Sequence, residues 1–399
     1  MKICMLAYAH YLNDARIKSY VQTLEDHGHQ VDIVVLRSEG EAAVEPQRTG
    51  TIFRVMKKYQ GHRKLMYAWA YLEFFLRAFF FLLRRSFSVR YDVIHVNNMP
   101  NALVFATLPQ RLLGARLFLD VHDLMTANYM AKFNAAESAL PVRILRFEQK
   151  LSAMFVDHVL CADANQRDYL VESCGIAPRK VSVFLNLPNT EIFGAVREVK
   201  AKSTEKFRLV YHGTIAHRLG IDLILRAVAK ASERVPVEMW IYGSGDFMPE
   251  ALALAKELNL EAKVHFSRKF FPVEQIPEIV SGMDMGFIGN RRNLACDRYM
   301  LPVKLLEYVY LHIPVIVPRL QVISRYFDDS MVRFYEPENV DAMADAIVTL
   351  YHDPEARERY ASAAKTFYQT YNIQAQANRY LELVTSSQGI VSTVSEKSA

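Results

Sequence analysis

Residues 297–318, DRYMLPVKLLEYVYLHIPVIVP, hold the densest chemistry in this sequence. Pro302 suits the first turn of a helix. Lys304 and Glu307 then stand three residues apart on one side of that helix, near its positive end. A carboxylate one turn into a helix can receive two ribose hydroxyl hydrogen bonds, while the free N–H groups at the helix start hold a phosphate. The plain alternative is a surface pair of opposite charges, contributing about a few tenths of a kcal/mol. Spacing alone leaves both readings open.

Two glycine turns stand earlier in the same half of the chain. His212-Gly213-Thr214 follows one apolar run, with Arg218-Leu219-Gly220 opening the next helix. Gly243-Ser244-Gly245 follows another and leads to Asp246. A glycine at a strand end lets a ligand approach the backbone, and a helix start beyond it favours an anion. A tight turn with no ligand explains either one equally well. The first half has no G-x-G-x-x-G, and the loop after its first apolar run, Tyr8-Ala9-His10-Tyr11-Leu12-Asn13-Asp14, is bulky, which argues against a dinucleotide dehydrogenase.

These turns need strands and helices to place them. Apolar runs at residues 3–9, 31–36, 51–56, 92–96, 116–121, 158–162 and 181–185 alternate with helix-length segments, the first being 14–27. Runs at 207–211, 237–242, 263–266, 284–288, 314–317 and 331–334 repeat the scheme after a polar stretch, 186–205. Val- and Ile-rich strands alternating with helices predict parallel sheets covered on both faces. The expectation is α/β: two Rossmann-like doubly wound domains, 1–186 and 187–372, facing across a cleft. A C-terminal helix at 373–385 is expected to pack back on the first domain, followed by a disordered tail, 386–399.

Composition fits an ordinary globular chain of 399 residues, 51% apolar and 23% charged, and excludes a disordered or collagen-like protein. The net charge of +5 is uneven. Residues 48–90 carry ten Lys or Arg and one acid, Glu73, which suggests a local patch rather than a nucleic-acid binder. Cys4, Cys161, Cys174 and Cys296 form no C-x-x-C pair and suggest neither zinc nor disulfides. No signal peptide or spanning helix is read, so a cytoplasmic location is expected, with peripheral membrane contact at the inner face as an option.

Taken together, YDVIHVNNMPNALV, LDVHDL, NLPNTEIF, VYHGTIAHRLGIDLILRAV, WIYGSGD and LPVKLLEYVYLHIPVIVP give the chain a resemblance. In order and spacing it resembles the retaining, nucleotide-sugar-dependent glycosyltransferases of the GT-B fold, group 1 or family 4. The resemblance implies a metal-independent enzyme with no cofactor. A nucleoside diphosphate sugar would be the donor, and a lipid-linked or saccharide precursor of a cell-surface polysaccharide or glycolipid would be the acceptor. It implies that Glu307 holds the ribose and that the backbone at Leu301 and Val303, with Gly213 and Thr214, meets the diphosphate. Gly243 and Ser244 would lie nearby, and Arg268 and Lys269 in the SRKFF loop would flank the nucleobase. His122 would face the transferred sugar, and Arg218 and Lys304 would stabilise the departing diphosphate. The pattern departs from the family at Tyr299, where a first glutamate is usual and Asp297 is the nearest acid, and at Thr214 and Leu219, where cations are usual. An epimerase-like enzyme on this fold and a non-catalytic nucleotide-sugar-binding scaffold are the competing functions.

Residues 62–90, HRKLMYAWAYLEFFLRAFFFLLRRSFSVR, place nine aromatics between Tyr67 and Phe87. A helix this apolar must bury more than one face. The core takes part of it. The remainder is read as an amphipathic contact with anionic lipid, flanked by Arg63, Lys64, Arg84, Arg85 and Arg90.

Overall fold

The computed structural model describes residues 1–57, 59, 64–133, 135–194 and 206–386. Two compact units are present, Met1–Leu185 with the chain from Gln374 onward, and Asn186–Ile373.

The first unit holds an eight-stranded sheet of β1 (Lys2–Ala7), β2 (Gln30–Arg37), β3 (Val44–Pro46), β4 (Thr51–Lys57), β5 (Val93–Asn97), β6 (Arg116–Val121), β7 (His158–Cys161) and β8 (Val181–Val183). Their order is β3-β4-β2-β1-β5-β6-β7-β8. Every pairing is parallel except that of β3, a short antiparallel edge strand absent from the sequence reading. The inner strands are buried on both faces, which is why they read as unbroken Val, Ile and Leu runs rather than alternating ones. The helices are α1 (Ala15–Asp26), α2 (Lys64–Arg85), α3 (Leu108–Arg111), α4 (Met125–Phe133), α5 (Leu140–Phe155) and α6 (Ala164–Asp168). Asp14 caps α1 by accepting the Ile17 N–H.

The second unit opens with α7 (Thr190–Phe193), a single turn inside the stretch read as a linker. Asn189 makes it possible, because its side chain accepts the Glu191 and Ile192 N–H groups. The rest of that stretch, 195–205, lies outside the described residues. Strands β9 (Phe207–His212), β10 (Val237–Tyr242), β11 (Val264–Phe266), β12 (Met285–Phe287), β13 (Val315–Pro318) and β14 (Arg333–Tyr335) form a parallel sheet ordered β11-β10-β9-β12-β13-β14. Its helices are α8 (Ile221–Ser232), α9 (Met248–Glu257), α10 (Ile276–Val280), α11 (Leu294–Arg298), α12 (Val303–Tyr310), α13 (Gln321–Ser324), α14 (Val340–His352), α15 (Pro354–Ala364) and α16 (Thr366–Thr370). The core lies between β9–β12 and the helices α8, α9 and α14.

The last helix, α17 (Ile373–Thr385), packs on the first unit through Tyr380, Leu383 and Val384. Arg116 reaches the carbonyls of Val384 and Ser386 at its end. The tail beyond 386 lies outside the described residues.

Helix α2 buries Ala70, Phe74, Ala78 and Leu82, one stripe at four-residue spacing, and leaves Trp69, Leu72, Leu76 and Phe80 exposed. Among the cations assigned to lipid, Arg84 is exposed. Arg85 is not available for that role: it donates to the buried Asp32 carboxylate at 3.0 Å and lies over the Phe53 ring. Arg63 and the side chain of Lys64 lie outside the described residues. No described helix is long and apolar enough to cross a membrane.

Candidate active site

The start of α12 is shaped by what surrounds it. A Cβ on Gly286 of β12 would fall 2.4 Å from the Tyr308 ring, so only glycine lets this helix seat so closely on the sheet. The Tyr308 hydroxyl reaches the Val210 carbonyl at 3.3 Å and His212 Nδ1 at 2.9 Å. His212 in turn holds Glu307, with Nε2 2.6 Å from Oε2. A carboxylate only accepts, so Nε2 carries the proton and donates it. The other oxygen of Glu307, Oε1, has no protein partner among the described residues and remains an acceptor.

Helix α12 begins at Val303, so Pro302 occupies the cap position rather than the first turn, and it offers no side-chain acceptor. The Val303 and Lys304 N–H groups therefore have no backbone acceptor among the described residues. The Lys304 ammonium lies 3.7 Å from the centre of the Tyr211 ring and close against Gly213. It makes no ion pair among the described residues. Burial pulls its pKa down to about 7; Glu307 opposes the shift and Arg218 adds to it. A cation at the positive end of a helix is unfavourably placed until an anion joins it.

Around this point the loops are closely fitted. The Gly213 N–H donates to the Tyr242 carbonyl at 2.8 Å, so it is not available to a diphosphate. The Thr214 N–H has no backbone acceptor among the described residues, while the Thr214 carbonyl receives the Tyr211 hydroxyl at 2.7 Å. Gly243 is needed for packing, since a Cβ there would fall 1.8 Å from the Gly213 oxygen. Its N–H donates to Ser267 Oγ at 3.0 Å, and the Ser244 carbonyl receives the Ile215 N–H. This stitches the two glycine turns to the loop that carries Arg268 and Lys269, both exposed, with Lys269 over the Phe271 ring. Arg218 is exposed and has no side-chain partner among the described residues, while its carbonyl is pinned by the Arg291 N–H at 3.0 Å.

Asp297, the acid nearest the missing first glutamate, lies beside the start of α13. Its Oδ1 accepts the Gln321 N–H at the start of α13, at 3.1 Å, and so serves as a cap. Leu301 lies just before the α12 cap, half-buried. Among the described residues no group of three or more His, Cys, Asp or Glu side chains is placed to hold a metal ion.

In the first unit, His122 follows β6 and is bound to Asp120 Oδ2 at 3.1 Å and Asn97 Oδ1 at 3.2 Å. Asp120 is wholly buried and is clamped by Arg16, Nε to Oδ2 at 2.7 Å and Nη2 to Oδ1 at 2.6 Å. Burial would raise the Asp120 pKa, but Arg16 and His122 hold it well below the usual range. Burial would likewise lower that of His122, yet Asp120 leaves it raised. His95, also buried, lies 3.8 Å from Asp120 and is bound by the Tyr380 hydroxyl of α17 at 2.7 Å. Sequence reasoning singles out His122 alone. Asp120 is visible two residues before it, on the same side of a strand. Arg16 and Tyr380 are too distant in sequence to be inferred.

Each half of the chain matches a glycosyltransferase family. Residues 193–367 match the glycosyl transferases group 1, and residues 15–191 match glycosyltransferase family 4. The chain is 22% identical over 292 residues to the alpha-D-kanosaminyltransferase of Streptomyces kanamyceticus, covering 71% of this chain and 73% of that protein. It is 23% identical over 283 residues to the N-acetylgalactosamine-N,N'-diacetylbacillosaminyl-diphospho-undecaprenol 4-alpha-N-acetylgalactosaminyltransferase of Campylobacter jejuni, covering 67% and 69%. Among solved structures it is similar to a sucrose-phosphate synthase from Thermosynechococcus elongatus, at TM-score 0.76 and 16% identity over 96% of this chain and 98% of that one. It is also similar to HepE of Anabaena in complex with UDP, at TM-score 0.69 and 13% identity over 96% and 99%. With both units matched in order and the fold shared, the chain belongs to the group 1 glycosyltransferases, on the two-unit α/β architecture of the GT-B enzymes.

Proposed function

We propose that this glycosyltransferase takes its sugar from a nucleoside diphosphate donor held at the start of α12, and passes it to a lipid-linked or saccharide acceptor with retention of configuration. The observation that carries this reading is Lys304: a half-buried cation without an ion pair among the described residues, beside uncapped N–H groups, one turn before a carboxylate with a free oxygen. A diphosphate supplies the missing anion, and a ribose supplies hydroxyl donors to Glu307 Oε1. As the sugar–phosphate bond breaks, charge grows on the diphosphate. Lys304, the exposed Arg218 and the helix N–H groups stabilise it, so no metal is needed for that step. In the first unit, His122 is held by Asp120 and kept readily protonated, and the family resemblance assigns it to the transferred sugar.

Support for the donor comes from the UDP bound by HepE, and for the acceptor from the diphospho-undecaprenol named for the Campylobacter relative. A lipid-linked acceptor also gives a purpose to the exposed Trp69, Leu72, Leu76 and Phe80 of α2, which we read as a membrane contact.

The test is to supply UDP- and GDP-sugars with and without a polyprenyl diphosphate-linked sugar. Nucleoside diphosphate release should require the acceptor, should survive EDTA, and should give a product with the donor's anomeric configuration by NMR. Conversion of the donor sugar without any acceptor would replace this reading with an epimerase, and donor binding without turnover would replace it with a scaffold.

A further inference from the structure

Helix α5 has its polarity reversed. Leu140, Ile144, Phe147, Leu151 and Met154 lie on its outer side, between 40% and 67% exposed. Their spacing of four, three, four and three residues makes one continuous stripe along a helix of 16 residues. Three uncharged or acidic polar residues point the other way. Gln149 and Ser152 are wholly buried, and neither side-chain polar atom of Gln149 finds a partner among the described residues. Glu148 is turned inward to Asn101 at 3.0 Å, and burial raises its pKa. Putting a carboxylate and an amide inside while five large apolar side chains stay in water is the reverse of what folding alone favours. An outer apolar stripe of this length marks a surface that is covered in use.

Charge on the same side identifies the cover. Arg143 and Lys150 are exposed between the apolar residues and make no ion pair among the described residues. Arg111 and Arg146 are committed to Asp157 and Glu137. No acid of α5 faces outward, since Glu148, its one acid, is turned in. Apolar side chains interleaved with free cations match an anionic bilayer, where the chains insert below the headgroups and the cations meet phosphate. Helices α2 and α5 both pack against the 3-10 segment Asn101–Thr107, and α3 continues that segment with Leu112, 78% exposed, just beyond it. Helices α2 and α5, each with an exposed apolar stripe, therefore flank one element.

We propose that the outer face of α5 is a seat for an anionic lipid bilayer, a second rail beside α2. It rests on the reading of α2 as a membrane contact and adds a second helix to it.

The full chain is floated with vesicles of phosphatidylcholine with and without phosphatidylglycerol, over a range of salt. Three variants are compared with the wild type: Ile144→Ser with Phe147→Ser and Met154→Ser; Arg143→Gln with Lys150→Gln; and Trp69→Ser with Phe80→Ser in α2. All substituted residues are exposed and outside the donor site, so nucleoside diphosphate affinity should be unchanged and reports a native fold. The seat predicts flotation with the anionic vesicles at low salt, and at least about a tenfold lower partition for both α5 variants. The charge variant should also show a flatter salt dependence. Wild-type flotation by both α5 variants, with loss only in the α2 variant, would overturn the α5 seat and leave the α2 reading standing. No flotation of the wild type would overturn both. A concentration-dependent dimer in sedimentation, removed by the α5 apolar variant, would identify a second copy of this chain as the occupant and likewise overturn the proposal.

Discussion

The two charged clusters handle buried charge in opposite ways. In the first unit, Arg16, Asp120 and His122 close on one another, and the carboxylate is fully sheltered with both oxygens engaged. In the second, Lys304 is partly sheltered and has no counter-charge in contact among the described residues. A satisfied network fixes geometry and is costly to break, because removing one member strands another. A cation without a counter-charge contributes little to the empty fold beyond its contact with the Tyr211 ring and, on the proposed reading, gains its partner from the ligand. On that reading, the contrast separates a cluster that positions a side chain from one that waits for a substrate.

The largest effect expected from breaking this contrast is at Asp120. Asp120→Ala leaves Arg16 buried and uncompensated and should destabilise the chain by about 3–5 kcal/mol in urea unfolding. Arg16→Met on the same background should recover part of the loss. Lys304→Met should do the reverse. Unliganded stability should be unchanged or higher, since a poorly solvated charge is removed, while turnover falls by about 3 kcal/mol of transition-state stabilisation, roughly a hundredfold. If Lys304→Met instead destabilised the empty protein as Asp120→Ala does, the two clusters would not differ in kind.

Smaller effects sharpen the same contrast. Gly286→Ala pushes Tyr308, and with it the α12 start, off the sheet, and should cost about 1–3 kcal/mol in thermal unfolding together with weaker donor binding. Glu307→Ala should weaken nucleoside diphosphate binding by about 1.5 kcal/mol, near tenfold by calorimetry, with little change in fold. Unchanged affinity in the folded variant would remove Glu307 from the ribose.

How much of this was legible follows the range of the interactions. The parallel sheets and the one-turn spacing of Lys304 and Glu307 at a helix start were readable because strand runs and three-residue helix spacing are local. The surroundings of Gly213, Gly243 and Asp297 were not, since a committed N–H, a packed glycine and a cap for α13 depend on neighbours distant in sequence. Arg85 looked like a lipid contact until Asp32, 53 residues away, claimed it. The stripe of α5 illustrates the limit most clearly. Leu140, Ile144, Phe147, Leu151 and Met154 have the period of a core-facing helix, and period says nothing about which way a stripe points.

The central claim is that Lys304 awaits a diphosphate, and proton linkage tests it most directly. Free Lys304 loses its proton near pH 7, and a bound diphosphate would raise that pKa. Above pH 7, binding must then take up a proton, and affinity must fall as pH rises, by up to about one log unit per pH unit. Below pH 7 the amine is already charged, and uptake should vanish. Calorimetry of nucleoside diphosphate binding at pH 8, in buffers of different ionisation enthalpy, measures this uptake. Close to one proton in the wild type and none in Lys304→Met is the predicted result. Equal uptake in both proteins, or none in either with affinity independent of pH, would contradict the account.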